Sequence, residues 1–485
     1  MSTGSGKIVS GLGWKLLERF GVQGSQFILQ LILARLLDPE HYGTLSLMVV
    51  FTTLANVFVQ SGLNTALIQR KDVDEDDYSS ILWVSMAIAG LLYVVLFFCA
   101  PLIALLYKMP EIVAPFRVLA LMLFPGALNS VQIAKTSREM NFRRIFFSNL
   151  GGILVSGAVG IAIAYLGGGL WALVIQTLLN VLIACAVMHF TVGWKPRLVC
   201  DLSRVKLLFG FGWKLLFSRL IDTIYQDVRS LVIGVKYNSA TLGYYNRGKH
   251  FPQFVNNAVN GAVQSVMLPA MSARQEDKGS VKSMMRTSVS LGSYIVFPVM
   301  AGLASVASPL VALALGEKWM PCVPYLQIYC FTFAFYPVHS CNLQALNAIG
   351  RSDVYLRLEI IKKSYGIIAL VIAVLCFDSP IAIAMTGVFT TVISCFVNAF
   401  PSKKLIGYSY LEQMRDILPA LLLSAAMFGV VSLVGLLKLG SLWTLLLQIS
   451  IGVGFYVGAS AALRLRSFTS LKNALVRIAG KRLKK

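Results

Sequence analysis

The sequence predicts an all-α integral membrane protein with about 14 transmembrane helices. Of its 485 residues, 57% are hydrophobic and only 13% are charged, whereas a typical soluble domain has about 25% charged residues. Apolar runs of about 20 residues, the length that crosses a bilayer as a helix, recur along the whole chain. Loops rich in basic residues also alternate with loops that contain few of them. These three observations place the chain in a membrane.

The predicted helices follow the apolar runs in order. The first run continues past Glu18 and Arg19 to a full spanning length, so we interpret it as a membrane helix and not as a cleaved signal peptide. Short turns, such as "YLGGGLW" after the fifth run, separate the runs. The predicted spans lie at about residues 11–37, 43–69, 79–107, 113–134, 146–166, 170–192, 207–236, 243–271, 284–315, 320–345, 354–377, 379–400, 412–437 and 440–463.

The pentapeptide "GWKLL" occurs twice, at residues 13–17 and 212–216, and indicates an internal repeat. At an offset of about 200 residues further positions coincide. The coinciding pairs include Asp38 with Asn238, Gly43 with Gly243, Phe51 with Phe251 and Val59 with Val259, and later Arg138 with Arg351. Spans one to six and seven to twelve therefore read as two copies of a six-helix unit. Because six is even, both copies enter the membrane from the same face, which makes them parallel repeats.

This repeat defines the predicted domains. Residues 1–194 form an N-lobe with helices 1 to 6, and residues 195–405 form a C-lobe with helices 7 to 12. Residues 406–465 form two extra helices that have no partner in the repeat, and residues 466–485 form a basic cytoplasmic tail.

The net charge of +22 reports orientation and not nucleic-acid binding. Most of the 43 lysines and arginines fall in alternate loops if the first residue is cytoplasmic. This asymmetry follows the positive-inside rule, and with an even number of spans it places both termini in the cytoplasm. We therefore expect a multi-pass membrane protein.

Charged residues inside spans one and seven are the main candidates for a binding site, because intramembrane charges usually face a protein interior or a water-filled cavity. Cations outnumber anions there, which favours an anionic ligand, and arginine suits phosphate or pyrophosphate oxygens. The alternative is that the acidic residues only form buried ion pairs that fix helix packing. The cations are Lys15, Arg19, Lys214, Arg219 and Arg229, and the acidic residues, candidates for ion coupling, are Glu18, Asp222 and Asp227.

Two amide stripes with the same spacing accompany these helices in the repeats. We interpret them as a hydrated wall for sugar hydroxyls, with interhelical hydrogen bonding as the alternative. They are Asn56, Gln60 and Asn64 in the first repeat and Asn256, Asn260 and Gln264 in the second.

No arrangement of residues predicts catalysis. The four histidines are scattered, and neither a Ser/His/Asp set, a nucleotide-binding loop nor a metal cluster can be assembled. We expect no enzyme activity, catalytic residue, metal or cofactor.

Several motifs resemble the polysaccharide flippases of the MOP superfamily, the Wzx type, especially the colanic-acid exporter branch. They are "LARLLDPEHYGTLSLMVVF", "SGLNTALIQRKD", "REMNFRR", "GGLWALV", "LGYYNRGKHFPQ" and "LPAMS". The resemblance implies a V-shaped fold of two lobes that moves undecaprenyl-pyrophosphate-linked oligosaccharide repeat units outward by alternating access. It also implies that the two extra helices shelter the lipid chain. In "YNRGKHFP", Arg247 and Lys249 depart from the pattern and add charge at the second lobe, where we expect them to contact substrate.

The predicted function is therefore a lipid-linked oligosaccharide flippase of a bacterial inner membrane, for exopolysaccharide, capsule or O-antigen synthesis. We expect it to act as a monomer among membrane lipids, in functional association with a polysaccharide polymerase and a chain-length regulator, and without nucleic acid. One alternative is an ion-coupled drug or metabolite exporter of the same superfamily. The other is a polysaccharide polymerase or ligase, which would be expected to carry a large external loop.

Overall fold

The computed structural model describes Trp14 and residues 21–60, 62–70, 72–437 and 439–473. Over these residues the secondary structure is helical, without strands. The helices are α1 Gln23–Leu36, α2 Pro39–Gln60, α3 Leu63–Gln69, α4 Glu75–Tyr107, α5 Val113–Ala120, α6 Leu123–Arg138, α7 Phe142–Tyr165, α8 Leu170–Val192, α9 Leu202–Lys236, α10 Ser239–Ser272, α11 Lys278–Ser305, α12 Ala307–Ala314, α13 Val323–Ala334, α14 Tyr336–Ala348, α15 Ser352–Cys376, α16 Pro380–Ile406, α17 Tyr410–Val434 and α18 Ser441–Ala462.

The described helices confirm an all-α membrane protein. Nine of the helical segments in the described part of the chain are long and apolar enough to cross a bilayer. They include Glu75–Tyr107 and the two segments Tyr410–Leu437 and Ser441–Ala462 near the C-terminal end. Helices α9, α10 and α15 also have spanning length but carry more charged or polar side chains. The count of 14 spans stays a prediction.

The chain divides into two compact units, the first ending at Asn246 and the second beginning at Arg247. In the first unit α7 packs on α8, α4 on α6, and α9 on α2, α3 and α4. In the second unit α11 packs on α13, α14 and α17, α15 packs on α16, and α17 packs on α18. The predicted lobe boundary, between residues 194 and 195, is a boundary between sequence repeats and stays a prediction, because packing need not follow repeats.

Two glycines let α3 and α9 approach closely in the first unit. Gly62 interrupts the second predicted span with a left-handed backbone, at φ 65°, and α3 begins after it. A Cβ atom on Gly62 would overlap the carbonyl oxygen of Gly212. Only glycine tolerates both this φ and this contact. Gly212 is the first residue of the second "GWKLL", so the glycine of that copy lies at a helix crossing.

A second glycine crossing joins α2 and α10. A Cβ on Gly43 would overlap the carbonyl oxygen of Ser239, and a Cβ on Gly243 would overlap that of Pro39. Gly43 and Gly243 are matched positions of the sequence repeat, as are Pro39 and Ser239. The two contacts are therefore equivalent under exchange of the repeats.

A proline inside α4 explains an arginine that the sequence analysis did not single out. Pro101 lies inside α4 and has no N–H to donate to the carbonyl of Phe97, four residues earlier. Arg117 of α5 donates its Nε–H to that carbonyl oxygen at 3.2 Å. The Arg117 guanidinium also lies 3.9 Å from the centre of the Phe97 ring. Arg117 thus satisfies the polar group that the proline leaves free.

Ion pairs connect the start of α9 to the start of α4, at the predicted cytoplasmic end of the first unit. Asp74 is the N-cap of α4 and forms a capping box with Asp77. Arg204 of α9 donates to Asp74 at 2.6 Å and to Asp77 at 3.4 Å. The hydrogen bond from Arg204 holds the pKa of the Asp74 carboxyl below its usual value.

The first of the two predicted extra helices, α17, is held to the second unit near its start. Lys282 of α11 pairs with Glu412 at 2.9 Å, and Arg286 pairs with Asp416 through two hydrogen bonds of 2.7 Å. Gln413 and Asn342 of α14, both fully buried, exchange two hydrogen bonds, at 2.8 and 3.1 Å.

Candidate functional site

The described cationic candidates from predicted span seven lie on one helix of the first unit. Lys214 and Arg219 of α9 are exposed, and Arg229 is half-buried. The Lys214 ammonium lies 6.0 Å from the Trp213 ring, and the Arg229 guanidinium lies 5.7 Å from the Tyr225 ring. Arginine and lysine at this distance from an aromatic face gain a cation–π attraction. One helix therefore presents three cations along about 22 Å of its length.

The acidic candidates of the same helix are half-buried. Asp222 and Asp227 are each engaged in an interaction. The predicted pairing of Asp222 with Arg219 or Arg229 stays a prediction. Lys15, Glu18 and Arg19 lie outside the described residues, although Trp14 beside them is described. Its ring lies 5.5 Å from the Arg143 guanidinium and 5.7 Å from the Phe146 ring.

The first amide stripe lies on helices that α9 packs against. Asn56 and Gln60 are on α2 and Asn64 is on α3, and all three are half-buried. Asn64 accepts a hydrogen bond of 3.4 Å from Ser130 of α6, which fits the interhelical alternative. The buried Oδ1 of Asn56 has no hydrogen-bond partner within the described chain. Its unmet acceptor fits a group that binds a donor from a ligand or water.

The second amide stripe is only partly described. Asn256 is buried in α10, at 5% exposure. The side chains of Asn260 and Gln264 lie outside the described ones.

The two added basic residues of the "YNRGKHFP" motif face aromatic rings of the second unit. The Arg247 guanidinium is buried and lies 5.5 Å from the Trp319 ring. The Lys249 ammonium lies 5.9 Å from the Tyr329 ring. Gly248 between them is in close contact with α13, since a Cβ there would lie 2.7 Å from that of Tyr325. These contacts support helix packing, and contact with substrate stays a prediction.

Sequence analysis missed an apolar groove in the second unit. Helices α11, α17 and α18 form most of it, with Val255 of α10 at one side, and its volume is about 500 Å³. Aliphatic side chains and glycines dominate the lining, and the polar exceptions are Gln448 and Tyr456. Such a cavity fits a hydrocarbon chain and offers little to a sugar. The lining includes Pro298, Gly302, Met427, Val431, Gly452 and Tyr456.

Tyr456 connects α18 to α11 at one end of the groove. Its hydroxyl donates a hydrogen bond of 2.9 Å to the carbonyl oxygen of Tyr294. The two tyrosine rings lie 5.2 Å apart, and both side chains are buried. The groove is therefore fixed by a specific contact between helices and not by apolar packing alone.

Comparisons with known proteins identify the family. The family model described as "Polysaccharide biosynthesis protein" matches residues 32–324. The succinoglycan biosynthesis transport protein ExoT of Rhizobium meliloti is 24% identical over 421 residues, which are 85% of this chain and 82% of the relative. The lipopolysaccharide biosynthesis protein WzxC of Escherichia coli is 24% identical over 438 residues, 87% of each chain.

Solved structures identify the fold. The lipid II flippase MurJ in its inward closed conformation superposes with a TM-score of 0.75 at 16% identity, covering 92% of this chain and 98% of its own. An inward-facing multidrug resistance MATE family transporter of the MOP superfamily has a TM-score of 0.57 at 15% identity, covering 80% of this chain and 98% of its own. The resemblance read from the sequence motifs is confirmed. The chain therefore belongs to the polysaccharide biosynthesis protein family, and its fold is that of the MOP-superfamily transporters.

Proposed function

We propose that this protein is a flippase that moves undecaprenyl-pyrophosphate-linked oligosaccharide repeat units across a bacterial inner membrane for surface polysaccharide synthesis. The observation that carries the proposal is the apolar groove of the second unit. A carrier of soluble sugars needs no cavity of about 500 Å³ lined by aliphatic side chains. A carrier of lipid-linked sugars must hold a prenyl chain while the polar head group crosses the membrane.

The polar head group requires cations and hydrogen-bonding groups. In our proposal Lys214, Arg219 and Arg229 of α9, together with Lys15 and Arg19, bind the pyrophosphate. Arginine's planar guanidinium can contact two phosphate oxygens at once. The amide stripes accept and donate hydrogen bonds to sugar hydroxyls, beginning with the unmet Oδ1 of Asn56. Arg247 and Lys249 extend this binding surface, and Glu18, Asp222 and Asp227 either stabilise the cations or couple transport to an ion.

The proposed topology has 14 spans, with two parallel six-helix repeats, two extra helices and both termini in the cytoplasm. The equivalent contacts of Gly43 and Gly243 support the repeats, because a two-fold axis between α2 and α10 produces such a reciprocal pair. Substrate binding then drives alternating access by favouring one of two conformations. The protein acts as a monomer, and a polymerase and a chain-length regulator use the exported units.

A multidrug exporter is the second candidate, and the likeness to the MATE family transporter favours it. The flippase MurJ covers 92% of this chain and the MATE transporter covers 80%, so the flippase shares more of the fold. A flippase would use the groove that α17 and α18 help to form, because it must hold a lipid chain. A carrier of soluble drugs has no such need.

The test replaces Arg219 and Arg229 singly by Ala in the native host and measures the lipid-linked oligosaccharide retained in the inner leaflet. We expect retention at normal protein level in both variants, because each loses a bidentate phosphate contact. Unimpaired export in both variants would contradict the proposed head-group site. A matched control is Arg351→Ala, which removes an exposed arginine of the second unit that pairs with Asp353 at 2.8 Å, outside the proposed site.

A further inference from the structure

The groove ends where a proline interrupts the hydrogen bonding of α11. Pro298 lies inside this helix and lines the groove. Because proline has no N–H, the carbonyl of Tyr294, four residues earlier, loses its helical donor. In a membrane no water replaces that donor, so the carbonyl needs a protein partner. Tyr456 of α18 supplies it, with its hydroxyl 2.9 Å from the Tyr294 oxygen.

In the first unit, a carbonyl that a proline leaves without its helical donor is also paired with a side chain. Pro101 of α4 frees the carbonyl of Phe97, and Arg117 of α5 donates to it. There the donor comes from the next helix along the chain. In the second unit the donor comes from α18, 162 residues after the carbonyl that it satisfies. The C-terminal helix pair therefore completes the backbone hydrogen bonding of α11.

We propose that Tyr456 is a positioning residue of the groove, which docks α18 on α11 beside Pro298 and so holds the groove at the width that a prenyl chain needs. This inference rests on the proposed function, since it assigns a prenyl chain to the groove. The apolar lining alone does not orient α18, because lipid chains solvate an aliphatic surface as well as protein does. The Tyr456 hydroxyl is directional, because it donates to the Tyr294 carbonyl oxygen at 2.9 Å, and it therefore favours one position of α18 on α11.

The place of Tyr456 in the groove explains how it sets the groove's width. The groove-lining residues of α18 run from Leu445 to Val457, about 18 Å along the helix axis. Tyr456 lies at the Pro298 end of this run, and its ring packs at 5.2 Å against the ring of Tyr294. Its hydrogen bond to Tyr294 therefore holds α18 against α11 at that end of the groove. Release of α18 from α11 would widen the groove and weaken its contacts with a prenyl chain.

The test is a double-mutant cycle on thermal unfolding of the purified full-length protein without ligand. Tyr456→Phe removes only the hydroxyl and leaves the Tyr294 carbonyl unpaired, so we expect a lower unfolding temperature. Pro298→Ala restores the N–H that can bond to Tyr294, so Tyr456→Phe should cost much less in that background. An equal cost of Tyr456→Phe in both backgrounds would overturn the assigned role.

The matched control is Tyr365→Phe, which removes another interhelical tyrosine hydroxyl of the second unit, 2.6 Å from Ser394. The loss in Tyr365→Phe should not depend on residue 298. The two variants then separate a positioning role from a general loss of stability.

The functional measurement compares binding of undecaprenyl pyrophosphate and inorganic pyrophosphate to the protein in lipid nanodiscs. We expect wild type and Tyr365→Phe to prefer the prenylated ligand, and Tyr456→Phe to lose roughly tenfold of that preference, the effect of one unmet buried hydrogen bond. An unchanged preference in Tyr456→Phe would contradict the inference. Absence of any preference in wild type would instead contradict the proposed function, while the unfolding cycle still decides whether Tyr456 pairs the carbonyl that Pro298 leaves free.

Discussion

Single side chains in this protein satisfy backbone groups that proline leaves free. Arg117 donates to Phe97 in the first unit, and Tyr456 donates to Tyr294 in the second. An unpaired carbonyl within a bilayer costs several kcal/mol, on the order of a whole domain's margin of stability. An intramembrane arginine is usually a functional candidate. Arg117 shows that the charge can instead serve a structural purpose.

The first prediction concerns this arginine. Arg117→Met keeps most of the side-chain volume but removes the donor, and we expect it to destabilise the protein by about 3 kcal/mol. In a Pro101→Ala background, the restored N–H of residue 101 can donate to the Phe97 carbonyl. The loss of stability caused by Arg117→Met should then fall to the contribution that the guanidinium makes by packing on the Phe97 ring. Chemical unfolding of the four purified proteins checks this. A loss of equal size in both backgrounds would show that Arg117 acts elsewhere.

At the scale of elements, the helix ends are fixed by caps and ion pairs outside the predicted membrane core. Asp74 caps α4 and pairs with Arg204 of α9, and Asp201 caps α9 itself. Because α9 carries the proposed head-group cations, this connection sets the position of the binding helix against α4. The cap and the ion pair are separable contributions of one carboxylate.

The second prediction separates them. Asp74→Asn keeps a capping side chain but loses the charge, and should cost at most about 1 kcal/mol because the pair is exposed. Asp74→Ala loses both and should cost about 1 kcal/mol more. The lowered pKa of Asp74 means that its charge stabilises the folded protein above the unfolded pKa, near 4, and that this contribution is lost as pH falls through the folded pKa.

Unfolding measured from neutral to acidic pH tests the sign. The difference between wild type and Asp74→Asn should be constant near neutrality and disappear in acid. A difference that grows on acidification would be inconsistent with an ionised Asp74 in the folded state.

Most of the helices were predictable from sequence, and the groove was not. The predicted spans 113–134, 284–315 and 320–345 are each divided between two helices in the structure. Apolar runs separated by turns identify spans because each helix must satisfy its own backbone in the bilayer. The groove cannot be recognised from sequence, because the residues that line it are as apolar as those on the outer surface. Val431, which lines the groove, and Leu433, whose side chain is exposed, belong to the same apolar run. The Tyr294 and Tyr456 contact joins residues 162 positions apart, and no local pattern reveals it. For this contact the local signal in the sequence is Pro298, which indicates that the carbonyl of Tyr294 lacks its helical donor.

The cationic candidates show a different limit. Periodicity placed Lys214, Arg219 and Arg229 on one helix, and α9 is continuous from Leu202 to Lys236. Sequence repeats assigned α9 to the second lobe, yet it packs on α2, α3 and α4 of the first compact unit. Packing between elements depends on shape, as at Gly62 and Gly212, and repeat boundaries carry no information about it.

At the scale of the whole molecule, the account predicts a definite orientation in the membrane. In a background without the eight native cysteines, Glu111→Cys and Glu317→Cys should react with an impermeant maleimide added to intact cells. Glu139→Cys should react only after the membrane is opened. All three positions are exposed, so a failure to react reports sidedness and not burial. Labelling of residue 139 in intact cells would reverse the proposed topology.

The central claim is that this chain moves lipid-linked oligosaccharide across a bilayer, and reconstitution tests it most directly. The purified protein is inserted into liposomes that carry undecaprenyl-pyrophosphate-linked oligosaccharide with a fluorophore on the sugar, and an impermeant reductant quenches the fluorophores of the outer leaflet. We predict that wild type exposes inner-leaflet substrate to quenching and that the double variant Arg219→Ala, Arg229→Ala does not. Quenching limited to the outer leaflet with correctly folded wild type, under every ion gradient applied, would contradict the account.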